Sequence, residues 1–263
     1  MRAESHSSLS TFNQCPWKYY LKYIARVNRF SDSEALVKGR RVHLAISEKR
    51  KGDKEVNYAL TKVKTGKSLR RCTLNNRKFS TKGDIKVVDG LKVIAFHEQK
   101  FGFNEELNFE DFDSPGALFR GIIDYYYVVM NPPEEGSTPF KEIHVYDWKT
   151  GKPRFDKFQL NLYALFLSKL YQGAPVTCYI VNTTHQVSKP WDFTAEVRKK
   201  TVEKLVKTLK KIDEETIFRA VPTNLCGWCD YQDGVCKYSK KKTGGDREKL
   251  LARKFPLALL KGE

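Results

Sequence analysis

The stretch "KEIHVYDWKT", residues 141–150, closes an otherwise apolar run with an aspartate and a lysine two positions apart. Strand residues two apart point to the same side, so Asp147 and Lys149 share a face and Trp148 points away. The turn-rich "NPPEEGSTP" (131–139) precedes the run, which marks it as a strand entered from a connection. Working outward, "LKVIAFHEQKF" (91–101) and "ALFRGIIDYYYVVM" (117–130) are equally β-branched and aromatic. The three are expected to be neighbouring antiparallel strands, and a hairpin through 131–140 then sets Asp124 beside Asp147. Two carboxylates that close repel unless a cation lies between them. Hard divalent ions such as Mg2+ or Mn2+ prefer oxygen ligands and suit that position.

The flanking segments carry helical spacing. "STFNQCPWKYYLKYIARV" (10–27) repeats Phe12, Trp17, Tyr20, Leu21 and Ile24 on one face, with Ser10 or Thr11 as caps. "SEALVKGRRVHLAISEKRKG" (33–52) predicts a second helix bearing His43. After the key strand, "DKFQLNLYALFLSKLY" (156–171) predicts a helix that sets Gln159 and Tyr163 four apart on one face. "PVTCYIVNTT" (175–184) is a fourth strand, and "TAEVRKKTVEKLVKTLKKIDEET" (194–216) a long helix with Val202, Leu205, Val206, Leu209 and Ile212 on one side. Residues 51–90 are polar, lysine-rich and poorly periodic, and no element is assigned there. The expected fold class is α/β, a central mixed sheet flanked by helices.

Lysine and arginine number 48 against 31 acids in 263 residues, a formal charge of +17, which is the footprint of a polyanion binder. No run approaches a membrane span, and "MRAESHSSLS" at the start lacks the apolar core of a signal peptide, so a cytoplasmic protein without membrane attachment is expected. Six cysteines are then thiols or metal ligands rather than disulfides. Cys178, inside "VTCYIV", reads as a small core residue, and Cys72 also stands alone. "CGWCDYQDGVC" (226–236) spaces three cysteines as C-x2-C-x6-C. Cys15 completes a four-thiolate site only if the chain ends meet, and zinc and an iron–sulfur cluster fit that ligand count equally. The expected organisation is one domain over 1–238 and a basic tail over 239–263, with Lys240 to Lys242 a solvated linker before a DNA-backbone contact.

Taken in order, "LSTFNQCPWKYYLKYI", the "GRRVH" helix, a glutamate before a G-x-x-D strand, "GIID", "DWKTG", "QLNLY" and the closing "CGWCDYQDGVC" resemble the RecB-like branch of the PD-(D/E)XK nuclease superfamily over about residues 7–238. That resemblance implies a restriction-endonuclease-like core. It makes His43, Asp124, Asp147 and the backbone carbonyl of Trp148 metal ligands, Lys149 the catalytic lysine, and Glu98 the acid that precedes the G-x-x-D strand. Gln159 and Tyr163 match the Q-x-x-x-Y helix that orients substrate. Trp148 replaces the commoner tyrosine of D-Y-K, a small departure because only its carbonyl is used.

Relatives with one cysteine before the nuclease core and three after it hold a [4Fe–4S] cluster, so the resemblance assigns Cys15, Cys226, Cys229 and Cys236 to one that joins the N- and C-terminal segments. The layout is that of AddB-type helicase–nuclease subunits and of CRISPR-associated exonucleases of spacer acquisition. With 263 residues, a free-standing exonuclease of the latter type, or a phage-encoded relative in the host cytoplasm, is expected. The implied activity is Mg2+- or Mn2+-dependent exonucleolytic hydrolysis of DNA, single-stranded or at free ends. CRISPR adaptation or phage recombination proteins are the implied partners, and homo-oligomers are compatible with it. The rival readings are a non-catalytic, zinc-containing DNA-binding protein and a nuclease subunit active only within a larger complex.

Overall fold

In chain order the elements are α1 (His6–Gln14), α2 (Pro16–Tyr19), a π-helical turn (Tyr20–Ile24), α3 (Glu34–Ser47), α4 (Lys54–Lys62), β1 (Lys67–Asn76), β2 (Phe79–Val88) and β3 (Leu91–Phe103). There follow β4 (Phe109–Glu110), β5 (Phe119–Met130), β6 (Phe140–Lys149), α5 (Lys157–Leu170), β7 (Val176–Asn182), β8 (Val187–Asp192), α6 (Ala195–Asp213) and a 3-10 turn (Asn224–Trp228). The computed structural model describes residues 2–27, 34–50, 52–63, 67–76, 79–132, 139–153, 155–231 and 235–238, with backbone alone at 35, 67–76, 79–82 and 228. The side chain of Cys72 and the run Lys240 to Lys242 lie outside that description. The chain divides into two compact units, Met1–His6 with Ser33–Leu209, and Ser7–Asp32 with Lys210–Glu263.

The first unit is built on an eight-stranded sheet ordered β1-β2-β3-β5-β6-β7-β8, with the two-residue β4 paired to β3. As the sequence predicts, β3, β5 and β6 are antiparallel neighbours. β7 lies parallel to β6, because α5 carries the chain back across one face before it re-enters the sheet. The sheet is therefore mixed. On one face Tyr125, Tyr127, Tyr146 and Trp148 pack with Val42 and Ile46 of α3 and Val56 and Ala59 of α4. On the other, Phe101 stacks on Phe166 of α5 with ring centroids 4.5 Å apart and meets Tyr163 edge-on at 5.9 Å. α5 is buried along most of its length, as expected of a helix that is apolar on nearly every side. Cys178 is fully buried among these side chains, and burial pushes its thiol far above the usual range.

Residues 51–90, left unassigned above, contribute α4 and two strands. Asp53 caps α4, its carboxylate accepting the Glu55 N–H at 2.9 Å. β1 and β2 form the sheet's outer hairpin, with β2 also paired to β3; their polar, lysine-rich sequence gives no apolar spacing to mark them. β8 also went unpredicted. Its "VSKPWD" places Lys189 and Pro190 on an edge, the chemistry that blunts strand addition and disguises a strand as loop.

The second unit corrects the expectation of one continuous N-terminal helix. The helix breaks at Cys15, whose φ of −163° and ψ of 104° are extended, because the residue before a proline is driven out of the helical region. Pro16 then opens α2 at a position that needs no N–H. The chain's two ends meet here. Trp17 N–H donates to Arg219 O at 3.2 Å, Tyr231 Oη donates to Val27 O at 3.0 Å, and Leu21, Val27, Tyr231 and Val235 bury one another.

Gly121 of "GIID" is required by close approach. A methyl group there falls 2.6 Å from Phe101 Cε1 and 3.3 Å from Tyr163 Cε1, and the Phe166 stack leaves Phe101 little room to retreat. Gly121→Ala is expected to destabilise the protein by about 1 to 3 kcal/mol through overpacking, seen as a lowered thermal midpoint.

Candidate active site

β5 and β6 pair as far as Tyr125 with Tyr146, and the ladder stops one position short of Asp124 and Asp147. There the Asp124 side chain replaces a strand partner: its Oδ2 accepts the Trp148 backbone N–H at 3.0 Å. Asp147 is 1% exposed. The two carboxyls sit close enough that Asp124 is raised well above the ordinary carboxyl value, first by burial and then by the charge of Asp147. The predicted alternation holds, since Trp148 turns into the aromatic face opposite Asp147.

Lys149 Nζ lies 2.8 Å from Asp147 Oδ2 and donates to Gln159 Oε1 at 3.0 Å. Gln159 Nε2 in turn donates to Tyr163 Oη at 2.8 Å. Burial opposes the charge on Lys149, but Asp147, with help from Asp124 and Asp156, holds its pKa above that of an ordinary lysine. Burial and the charges of Asp147 and Asp124 raise the Tyr163 hydroxyl well above its usual value, so Tyr163 is neutral here. His43 Nδ1 stands 3.6 Å from Asp124 Oδ2. Burial lowers the His43 pKa against the opposing pull of Asp147, which favours the neutral imidazole that binds metals.

Glu98 falls opposite Asp124, between the His97–Tyr125 and Gln99–Ile123 pairs, and is skipped by the ladder. Its φ of +49° is left-handed, inside a strand, at a residue with a full side chain. Burial raises its carboxyl pKa, and its charge raises that of Asp124 in turn. The structure thus brings together all seven side chains singled out in the sequence: His43, Glu98, Asp124, Asp147, Lys149, Gln159 and Tyr163.

As the side chains stand, no group of three or more His, Cys, Asp or Glu among the described residues is arranged to hold a metal ion. The donor chemistry nevertheless fits a hard cation. Asp147 Oδ2 is buried against the Lys149 ammonium, and Asp124 is crowded by a second carboxyl. That crowding is relieved by a divalent ion.

In the second unit, Cys15, Cys226, Cys229 and Cys236 line one pocket with Trp17, Leu21 and Tyr231, and none is in a disulfide. Burial raises the Cys236 thiol, and the other three sulfurs add to the rise. Cys226 Sγ accepts the Thr223 N–H at 3.2 Å. Four thiols converging on one pocket form a soft donor set suited to iron–sulfur or zinc.

One positioning pair was missed in the sequence. Asp156 caps α5 by accepting the Phe158 N–H at 3.0 Å, and His6 Nε2 lies 2.9 Å from its Oδ2. The aspartate before "KFQ" is a cap signal, but nothing local announces a partner 150 residues away.

A sequence model of the PD-(D/E)XK nuclease superfamily matches residues 3–237. The chain belongs to that superfamily. Its members are usually metal-dependent nucleases, hydrolases of phosphodiester bonds in DNA. A solved structure titled "Crystal structure of SSO0001" aligns over 92% of this chain and 89% of its own, at 12% identity and a TM-score of 0.41. A search of curated proteins found no match. No helix among the described residues is long and apolar enough to cross a membrane.

The capping pair predicts an acid-sensitive step. The hydrogen bond to His6 holds Asp156 down to about 2 from its ordinary 3.8. A depressed carboxyl stabilises the fold above its unfolded pKa and loses that contribution as pH falls through the folded value. Thermal melts should therefore show a loss between roughly pH 4 and pH 2 that is absent in Asp156→Asn. Asp156→Ala, which also loses the cap, should cost about 1 kcal/mol at neutral pH.

Proposed function

We propose that this chain is a DNA exonuclease of the RecB-like branch that hydrolyses phosphodiester bonds on single strands or at free ends. The observation that carries the reading is Lys149 placed between a buried carboxylate and Gln159, beside a second carboxylate on the adjoining strand. A binding module gains nothing from close-set acids facing phosphate. Hydrolysis needs them, because the phosphodiester repels hydroxide and its alkoxide leaves poorly.

Mg2+ or Mn2+ held by Asp124, Asp147, His43 and the Trp148 carbonyl would supply positive charge to the attacking and departing oxygens. Lys149 orients the attacking water and offsets charge on the pentacovalent transition state. Its hydrogen bond to Gln159 fixes the ammonium, and the neutral Tyr163 hydroxyl fixes Gln159. Glu98 adds a third carboxylate beside Asp124. The expected products are a 5′-phosphate and a 3′-hydroxyl.

The four cysteines hold a [4Fe–4S] cluster in this proposal, a cross-link between segments that Cys15 and Cys226 place far apart in sequence. The layout supports a role in CRISPR spacer acquisition or in phage DNA processing, alone or beside the proteins of those complexes. Anaerobically purified protein should be brown and contain about four irons per chain. Serine at any of the four positions should bleach it, and Cys178→Ser should not. A colourless protein with one tightly bound zinc would overturn the cluster and leave the nuclease reading to its own test.

That test is digestion of end-labelled DNA with Mg2+, Mn2+ or EDTA. Asp147→Ala and Lys149→Ala should each lower cleavage by roughly a hundredfold or more while gel shifts show DNA still bound. EDTA should silence the wild type. Wild-type rates in either variant would refute the assignment.

A further inference from the structure

We infer that the surface beside the first turn of α5 is a track for single-stranded DNA, feeding the strand toward Asp147 and Lys149. The inference rests on the nuclease reading for its direction and on three lysine–ring contacts for its location. Lys189 Nζ lies 4.7 Å from the centre of the Phe155 ring, Lys157 Nζ 5.2 Å from that of Trp191, and Lys204 Nζ 4.0 Å from that of Phe158.

Strand register puts this patch on the catalytic face. Asp147 pairs with Ile180 and Ile180 with Lys189, while Val145 pairs with Cys178 and Cys178 with Trp191. Paired residues share a face, so Lys189 and Trp191 extend the row of Asp147 two strands toward the sheet edge. At a strand spacing of about 4.8 Å, that is a separation of roughly 10 Å, within a few nucleotides of a scissile phosphate. Phe155, in the segment joining Lys149 to α5, and Lys157, the first residue of α5, meet this row at Lys189 and Trp191.

Edge protection accounts for Lys189 beside Pro190, but it does not account for three lysines each set over an aromatic ring. Two acids lie in this region: Asp156 is held first by His6 and the α5 cap and also feels the Lys204 charge, and Asp192 accepts the Thr177 hydroxyl at 2.9 Å. Lys157 and Lys189 are exposed, Phe155 and Trp191 are half-buried, and the Trp191 indole N–H donates to Asn161 Oδ1 at 3.0 Å. The Phe155 and Trp191 contacts exchange partners on binding, while the buried Phe158 only seats Lys204 beside them. A base stacks on the ring and the displaced ammonium takes the adjoining phosphate. Duplex bases are already stacked on one another and cannot reach the rings, so the patch selects a single strand.

The experiment is fluorescence anisotropy in EDTA, using a labelled thymidine oligonucleotide of about 20 residues and a duplex of the same length. Phe155→Ala should weaken oligonucleotide binding roughly tenfold to a hundredfold, with Phe155→Tyr restoring it. Lys157→Ala with Lys189→Ala, both on exposed side chains that leave the fold intact, should lower the salt slope by about 1.4. Duplex affinity should move by less than about threefold. Unchanged oligonucleotide affinity, or equal losses for oligonucleotide and duplex, would overturn the track. Cleavage by the wild type is scored separately. A protein that binds in this pattern but hydrolyses no DNA refutes the nuclease reading and upholds the track, whereas one that cleaves normally with unaltered variant binding does the reverse.

Discussion

Two carboxyl groups share a buried site at the end of the β5–β6 ladder, and most of the first unit can be understood as what it takes to keep them there. Backbone pairing stops at Tyr125 and Tyr146, and Asp124 takes the Trp148 N–H that a longer strand would have used. One carboxyl is thereby fixed by the main chain of the residue next to the other. Their repulsion is only partly offset by the Trp148 N–H and the Lys149 charge. A site of this kind is poorly satisfied until a cation enters, and that is the property a metal-dependent hydrolase requires.

The surrounding packing serves precision more than stability. Lys149 is long and flexible, yet Gln159 and Tyr163 tie its ammonium to the middle of a buried helix. Tyr163 in turn lies against Phe101, and both rings occupy the space that Gly121 leaves free. The glycine of G-x-x-D is thus a packing residue for the Q-x-x-x-Y helix, a link between two motifs separated by some forty positions. Glu98 adds a local cost of its own, because a left-handed strand residue is strained by roughly 1 to 3 kcal/mol. The strain falls opposite Asp124 and nowhere else in the β3–β5 pairing.

Sequence periodicity anticipated where the candidate-site side chains fall in the fold. A spacing of two put Asp147 and Lys149 on one face, a spacing of four put Gln159 above Tyr163, and three β-branched runs ordered the strands. Each of those signals is local. The outer hairpin of residues 67–88 was illegible because its lysine-rich sequence carries no regular apolar spacing, and β8 because Lys189 and Pro190 are loop-like residues. The break at Cys15 was visible in Pro16 but was overruled by the helical spacing on either side of it. His6 was invisible for a different reason: its role depends on Asp156, and only the folded chain makes them neighbours.

The break at Cys15 also bears on how the second unit is held. Extended backbone at Cys15 interrupts the helix at a residue that lines the cysteine pocket. Cys226 does the same from a 3-10 turn, where its sulfur caps the Thr223 N–H. Cys15 is thus presented from a helix break and Cys226 from within a short 3-10 turn. The apolar cluster beside them consists of Leu21, Val27, Tyr231 and Val235, a small core for joining segments on either side of the whole first unit. Loop-closure entropy grows only as the logarithm of the loop length, yet over so long an excursion it reaches several kcal/mol, about 5 in the relation used for cross-links. Four thiolates around a shared centre would contribute on that scale. In the proposed reading a cluster would act on the fold of the second unit, with hydrolysis assigned to the carboxylates and lysine of the first.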